Sequence, residues 1–253
     1  MYGLIQFLAV VAAVVFGTFY GKYYGYGKFK AFLMCLTNEV LGYSLVFVLT
    51  WINNGFKHFG SQNAITMYTS TALICILICK IFKTEFGRCL DFLCLGPQLT
   101  YGIGHFACLI PKCCFGFQYT EGSAMYNVAN ALTGTNQLPN QLWESVSALL
   151  VFAIVLIVAI KGKFKSTGKL MALQQILFGV SRFGWEFLRD NKKVITLAPM
   201  KDAVSVEFHT AVWGISDLAL WAAGVFVAGV VLLIVLNAMD KKKSKEPEKL
   251  AAQ

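Results

Sequence analysis

Long apolar runs alternate with short polar segments along most of the chain. A helix that crosses a bilayer needs about 20 mostly apolar residues. Seven segments approach or exceed that length, at 4–20, 32–51, 64–82, 92–110, 142–160, 170–188 and 211–236. The pattern therefore predicts an all-α integral membrane protein with about seven transmembrane helices.

Basic residues are distributed unevenly over the polar segments. If the amino terminus lies outside, 15 of the 22 Lys and Arg residues fall on the cytoplasmic side and six on the other, with Arg182 inside a predicted helix. The positive-inside rule then predicts that the amino terminus lies outside and the carboxyl terminus in the cytoplasm. We expect one membrane domain over 1–240 and a basic, disordered cytoplasmic tail over 241–253.

Composition supports the same protein class. Hydrophobic residues make up 57% of the chain and charged residues 14%, and the mean hydropathy is +0.61, which excludes an ordinary soluble domain. The net charge of +9 lies in loops and the tail, so it indicates membrane topology and anionic lipid rather than nucleic acid. We interpret the first apolar segment as a retained helix, because no basic residue precedes it and no small-residue cleavage site follows it.

Charged residues within the sixth predicted helix are the first candidates for function. Arg182, Glu186 and Arg189 follow a spacing of four and three residues, which places them on one helical face. Burying a charge in a bilayer costs about 2.5–3.5 kcal/mol or more, so such groups normally face a protein interior. A structural ion pair explains Glu186 with one arginine, whereas two arginines also suit a phospholipid phosphate.

The fourth and fifth predicted helices carry polar residues that the proposed orientation brings to the same outer level. On the fourth helix one face carries Gln98, Tyr101, His105 and Cys108. Pro97 allows a kink or a short re-entrant segment there, and Gly102 and Gly104 allow close helix packing. On the fifth helix Gln141 and Glu144 share a face, after Pro139 and Asn140 in a capping position. Together these groups predict a buried polar site just below the outer surface, where a lipid headgroup would be met.

Three segments resemble the prolipoprotein diacylglyceryl transferase family. Arg-Phe-Gly-Trp-Glu-Phe-Leu-Arg at 182–189 is similar to the family's Arg-Phe-x-x-Glu-Phe-x-Arg. Leu-Pro-Asn-Gln-Leu-Trp-Glu at 138–144 resembles its His-Pro-Ser/Thr-Gln-Leu-Tyr-Glu. Gly104 and Gly116 keep the spacing of the glycines that bound a third family motif, and Tyr2-Gly3 resembles a Tyr-Gly before the family's first helix.

The chain departs from the family inside the third motif. His105 stands where the family has arginine, Cys108 and Pro111 stand where it has asparagine, and Cys113 stands where it has glutamate. Cys113-Cys114-Phe115-Gly116 resembles the Cys-Cys-Tyr-Gly of shorter family variants. The family's His-Gly-Gly segment has no clear counterpart.

The resemblance implies a seven-helix enzyme of the bacterial plasma (inner) membrane. Such an enzyme transfers diacylglyceryl from phosphatidylglycerol to the cysteine thiol of a prolipoprotein signal peptide and releases glycerol phosphate. It implies catalytic roles for His105 and Arg182, and no cofactor or metal. The implied phospholipid-binding residues are Tyr2, Tyr101, Gln141, Glu144, Arg182, Glu186 and Arg189. Because arginine is always charged and histidine is mostly neutral at pH 7, His105 is a candidate general base for the thiol.

Two other functions stay open from the sequence. The departures from the family motifs favour a non-catalytic or re-purposed member that binds a lipid or a peptide. His105, Cys108, Cys113 and Cys114 alternatively suggest a thiol redox or metal site, although their spacing matches no standard zinc motif.

Overall fold

The structure is a computed structural model that describes residues 1–53, 56, 64–116, 118–162, 167–186, 188 and 217–251. Regular secondary structure in these residues is helical, and an isolated antiparallel bridge joins Gln118 to Gln137. The α-helices are α1 (Tyr2–Tyr20), α2 (Lys28–Asn53), α3 (Ala64–Phe82), α4 (Phe86–Leu93), α5 (Leu95–Gly104), α6 (Ala124–Thr133), α7 (Asn140–Ile160), α8 (Lys169–Glu186) and α9 (Asp217–Ala251). Short 3₁₀ segments follow α1 at Gly21–Tyr24 and α5 at His105–Leu109.

The helical prediction is confirmed. Among the described residues, four segments are long and apolar enough to cross a membrane: Tyr2–Tyr24, Lys28–Leu49, Asn140–Ile160 and Ala219–Asp240. Apolar side chains such as Phe7, Leu150 and Ile234 are more than 45% exposed on the surfaces of these helices, as expected where lipid rather than water is the solvent.

The predicted fourth span is not one continuous helix. α4 ends at Leu93, α5 runs from Leu95 to Gly104, and a 3₁₀ segment continues to Leu109. Pro97 explains the break, because proline lacks an N–H and its ring clashes with the carbonyl four residues earlier, that of Leu93. The interruption leaves α5 as a short helix whose end carries His105 into the interior.

Two helical segments differ from the sequence expectation. α6 lies in the connection between α5 and α7, where no helix was predicted; Ser123 caps its start by accepting the N–H of Tyr126 at 3.1 Å, and Gly134 ends it in a left-handed conformation. α9 continues to Ala251, past residue 236, where the predicted seventh span ends. Lys, Glu and Ala in the residues after 236 are strong helix formers.

Glycines permit close helix contacts around the polar interior. A Cβ atom on Gly102 of α5 would lie 2.8 Å from Leu149 of α7, and one on Gly104 would lie 2.7 Å from Gln6 of α1. Between α8 and α9, a Cβ atom on Gly179 would lie 2.7 Å from the backbone nitrogen of Phe226. Small residues let helix backbones approach in membranes, and here they hold α5 against α1 and α7, as expected for Gly102 and Gly104.

The start of α8 is fixed by a carboxylate from α4. Asp91 is fully buried and accepts the backbone N–H groups of Thr167 at 2.8 Å, Gly168 at 2.9 Å and Leu170 at 2.9 Å. The first N–H groups of a helix have no partner within the helix and need an acceptor. Asp91 supplies it from a distant part of the sequence and thereby sets the position of the helix that carries Arg182.

We expect Asp91→Ala to destabilise the protein by about 2–3 kcal/mol, because several buried N–H groups would lose a charged acceptor together. Thermal unfolding of the detergent-solubilised protein measures this effect. Glu85→Ala is the matched control, just before the same helix: Glu85 is 74% exposed and pairs with Arg88 at 3.4 Å, and an exposed pair contributes about 0–1 kcal/mol. Equal losses for the two variants would contradict the capping role.

Candidate functional site

Glu144 of α7 is the centre of a buried polar cluster, and its side chain is 1% exposed. Its Oε1 accepts hydrogen bonds from Arg182 Nη1 at 2.8 Å and from Asn140 Nδ2 at 3.1 Å. Its Oε2 accepts the hydroxyl of Tyr101 at 2.7 Å and lies 3.0 Å from Nε2 of His105. One carboxylate thus joins groups from α5, α7 and α8.

Local helix geometry explains why these side chains meet. Asn140, Gln141, Glu144 and Ser145 form the buried face of the first turns of α7, just after Pro139. Tyr101 and His105 are one turn apart at the end of α5, and their rings stack with centroids 5.0 Å apart. Gly102 brings this turn against α7, so the polar edges of both rings reach Glu144.

Arg182 lies between two carboxylates. Besides its bond to Glu144, its Nη2 lies 3.0 Å from Oε2 of Glu186, one turn later in α8. The predicted helical pairing of Arg182 with Glu186 is therefore present. The sequence had suggested one carboxylate between two arginines, but Arg189 lies outside the described residues. Among the described side chains of the cluster, two acids face one guanidinium and His105.

Gln141 has unused hydrogen-bonding capacity. Its side chain is 0% exposed, and neither amide atom has a hydrogen-bond partner within the described part of the chain. The hydroxyl of Ser145, also fully buried, is in the same condition. Buried polar groups are hydrogen-bonded in the great majority of cases. An amide donor and an amide acceptor beside Glu144 therefore indicate a place for a polar ligand.

A second polar network lies one layer deeper along α5. Gln98 donates to the carbonyl of Ala148 at 2.9 Å and accepts from Gln174 at 2.7 Å, which ties α5 to α7 and α8. Its role is to hold the helices that present Tyr101 and Arg182. Tyr2 is the first residue of α1 and is 37% exposed.

Several buried polar residues were missed from the sequence, among them Asn140 and Glu39. Asn140, which we had interpreted only as a cap, donates both to Glu144 and to the carbonyl of Trp185 at 3.2 Å. Glu39 of α2 is 3% exposed and accepts the hydroxyl of Thr100 at 3.1 Å. A glutamate inside a predicted span was a sufficient signal for Glu39. Asn140 and Glu144 are four residues apart in α7, so their spacing was a sufficient signal for this contact. The contact of Asn140 with Trp185 depends on the packing of α7 against α8.

Comparisons with known proteins identify the family of the chain. The sequence profile of the prolipoprotein diacylglyceryl transferase family matches residues 1–235. The phosphatidylglycerol–prolipoprotein diacylglyceryl transferase 2 of Clostridium perfringens (strain 13 / Type A) is 26% identical over 206 residues, which is 76% of this chain and 79% of that protein.

Two further relatives are more distant or shorter in coverage. The phosphatidylglycerol–prolipoprotein diacylglyceryl transferase of Clostridium tetani (strain Massachusetts / E88) is 25% identical over 212 residues, covering 76% of this chain and 81% of the relative. That of Finegoldia magna (strain ATCC 29328 / DSM 20472 / WAL 2508) is 27% identical over 139 residues, covering 54% and 53%. Since the profile extends over nearly the whole chain, the protein belongs to the prolipoprotein diacylglyceryl transferase family.

Proposed function

We propose that the protein transfers diacylglyceryl from phosphatidylglycerol to a cysteine thiol in the signal peptide of a prolipoprotein. Family membership and the names of the bacterial relatives support this activity. The observation that carries it to particular residues is the buried cluster around Glu144, where Gln141 retains an amide donor and acceptor for a ligand. A lipid headgroup is a polar ligand that reaches a site between membrane helices.

The proposed topology places this cluster at the outer leaflet of the bacterial plasma membrane. Four apolar helices span the membrane by length and composition, and we propose that α3, the α4–α5 pair and α8 complete a set of seven. The uneven distribution of basic residues supports an external amino terminus. With this orientation the end of α5, the start of α7 and the end of α8 lie at the side where the signal-peptide cysteine emerges.

His105 is the proposed general base. The carboxylate of Glu144 beside Nε2 favours the tautomer with its proton on that nitrogen, which leaves the lone pair on Nδ1. Nδ1 lies 3.8 Å from the sulfur of Cys108, so this edge of the ring already faces a thiol-sized group. Nδ1 takes the proton of the acceptor thiol, and the resulting thiolate is the nucleophile.

The bond changes balance without an oxidant or a cofactor. The thiolate sulfur attacks the glycerol carbon of the diacylglyceryl group that bears the phosphate oxygen. A carbon–sulfur bond forms and the carbon–oxygen bond breaks, and its electron pair leaves with glycerol phosphate. Charge develops on the phosphate oxygen, where the guanidinium of Arg182 stabilises it. We propose that the phospholipid is held by Tyr2, Tyr101, Gln141, Glu144, Arg182, Glu186 and Arg189.

We expect Arg182→Gln to lower transferase activity by about 10²–10³-fold, the usual effect of removing one donor from a developing oxyanion. Release of glycerol phosphate from phosphatidylglycerol, measured with a lipobox peptide, reports the rate. Arg88→Gln is the matched control, because Arg88 is a half-exposed arginine that pairs with Glu85 on α4. Wild-type activity of Arg182→Gln in a correctly folded protein would remove this residue from the mechanism.

His105→Arg separates the two roles that position 105 could have. The variant restores the residue of the family motif, so a purely electrostatic role predicts that activity is kept or raised. A base role predicts a loss of about 10²–10⁴-fold, because arginine does not accept a proton at neutral pH. We expect the loss. The same peptide assay measures it, and complementation of a strain lacking its own transferase provides the cellular readout.

One observation favours a second candidate function, that of a non-catalytic member that binds a lipid or a peptide. The guanidinium of Arg182 contacts two protein carboxylates, and the second family arginine is replaced by His105. Both features reduce the positive charge offered to a phosphate. Failure of the wild-type protein to complement a transferase-deficient strain, together with phospholipid retained through purification, would favour this function over transfer.

A further inference from the structure

Three cysteine thiols meet at the end of α5, beside the cluster around Glu144. The sulfur atoms of Cys108, Cys113 and Cys114 all lie within 4.8 Å of one another. All three are thiols rather than disulfides in the structure. Cys108 is buried, whereas the other two are more open to solvent, so a solute can reach the thiols without unfolding a helix.

We propose that Cys108, Cys113 and Cys114 bind one Zn²⁺ ion, with Nδ1 of His105 as the fourth ligand. The proposal concerns a metal site and does not depend on transferase activity. Three thiolates and one imidazole are a common donor set for tetrahedral zinc. On binding, each thiol loses its proton to solvent and no group is oxidised or reduced.

The distances between the three sulfur atoms are close to those that a zinc ion requires. Zinc–sulfur bonds of about 2.3 Å place tetrahedral ligand sulfurs about 3.8 Å apart. The observed sulfurs lie within 4.8 Å of one another, so a closure of about 1 Å or less brings them to that separation. Two of them lie on the solvent-accessible loop after the 3₁₀ segment, where such a shift disturbs no packed helix.

The backbone of this loop turns both neighbouring thiols towards Cys108. Lys112 and Cys114 have φ angles of 53° and 64°, in the left-handed region that non-glycine residues seldom adopt. The N–H of Cys113 donates to the carbonyl of Cys108 at 3.2 Å, and its thiol lies 3.6 Å from the same oxygen. The chain therefore reverses direction in this loop, and the thiols of Cys113 and Cys114 both lie near the thiol of Cys108.

The two ring nitrogens of His105 lie near different groups, one near a carboxylate and the other near a thiol. A ligating imidazole normally presents its second nitrogen to a carboxylate, which fixes the ring and the tautomer. Here Nε2 lies 3.0 Å from Oε2 of Glu144, while Nδ1 lies 3.8 Å from the sulfur of Cys108. Since zinc would occupy the lone pair that the proposed transfer reaction needs, we expect the zinc-loaded protein to be the less active form.

The alternative outcome is a disulfide within the same cluster. Vicinal cysteines form a disulfide only with strain, which leaves Cys108 paired with one of the two neighbours and the third thiol unexplained. Zinc uses all three sulfurs. The choice between the two chemistries rests on measurement of bound metal and of disulfide content in the same sample.

Metal binding by the purified full-length protein tests the proposal. After chelation and reduction, the protein is titrated with Zn²⁺ against a competing chelator, and Co²⁺ is used as the spectroscopic probe. We expect one zinc per chain and the intense absorption bands of tetrahedral cobalt with thiolate ligands. Cys113→Ser and Cys114→Ser should each weaken zinc binding at least about 100-fold, beyond the effect of losing an outer-shell partner.

Cys79→Ser is the matched control, because Cys79 is a half-buried cysteine of α3 outside the cluster, and it should bind zinc as the wild type does. Unaltered zinc binding by Cys113→Ser, absence of tight binding by the wild type, or a disulfide in place of the metal would each overturn the site. His105→Ala tests the fourth ligand: affinity equal to that of the wild type would exclude the histidine as a ligand.

Discussion

The buried carboxylate of Glu144 constrains how three helices pack in the interior. A charge held away from water requires several donors, because its desolvation costs several kcal/mol that packing alone does not offset. Tyr101, Asn140 and Arg182 supply those donors from three helices. The requirement to satisfy this side chain therefore constrains the relative positions of α5, α7 and α8, together with the hydrogen bonds of Gln98.

Other features of the fold serve this arrangement. Because Gly102 has no side chain, α5 can lie close against α7. Pro97 separates α5 from α4, and the last turn of the short helix α5 carries Tyr101 into the interior. Asp91 accepts N–H groups at the start of α8, including that of Gly168, which is 14 residues before Arg182. The position of the whole helix is therefore set from its first turn. Close helix packing, a helix break and a helix cap are separate features, yet each helps to position Tyr101 or Arg182, which donate hydrogen bonds to Glu144.

The sequence was sufficient for the spacing within helices and insufficient for contacts between them. Arg182 and Glu186 were placed on one face from their separation alone, and the structure pairs them. Glu144 was ranked below them, because no pattern within α7 tells which helices will face it. α6 was missed although Ser123 and Gly134 mark its ends, since a search for long apolar runs passes over a short amphipathic helix.

The replacement of the family arginine by His105 gives the proposed reaction an order of events. With a neutral histidine, Arg182 is the one guanidinium among the described side chains of the cluster, and it already contacts two carboxylates, so the cluster offers little net positive charge to a phosphate. When Nδ1 takes the proton of the acceptor thiol, the imidazolium restores the second positive charge that an arginine would supply permanently. The proton that creates the nucleophile therefore also prepares the site for the leaving group. Thiol deprotonation and departure of glycerol phosphate would be coupled through one side chain.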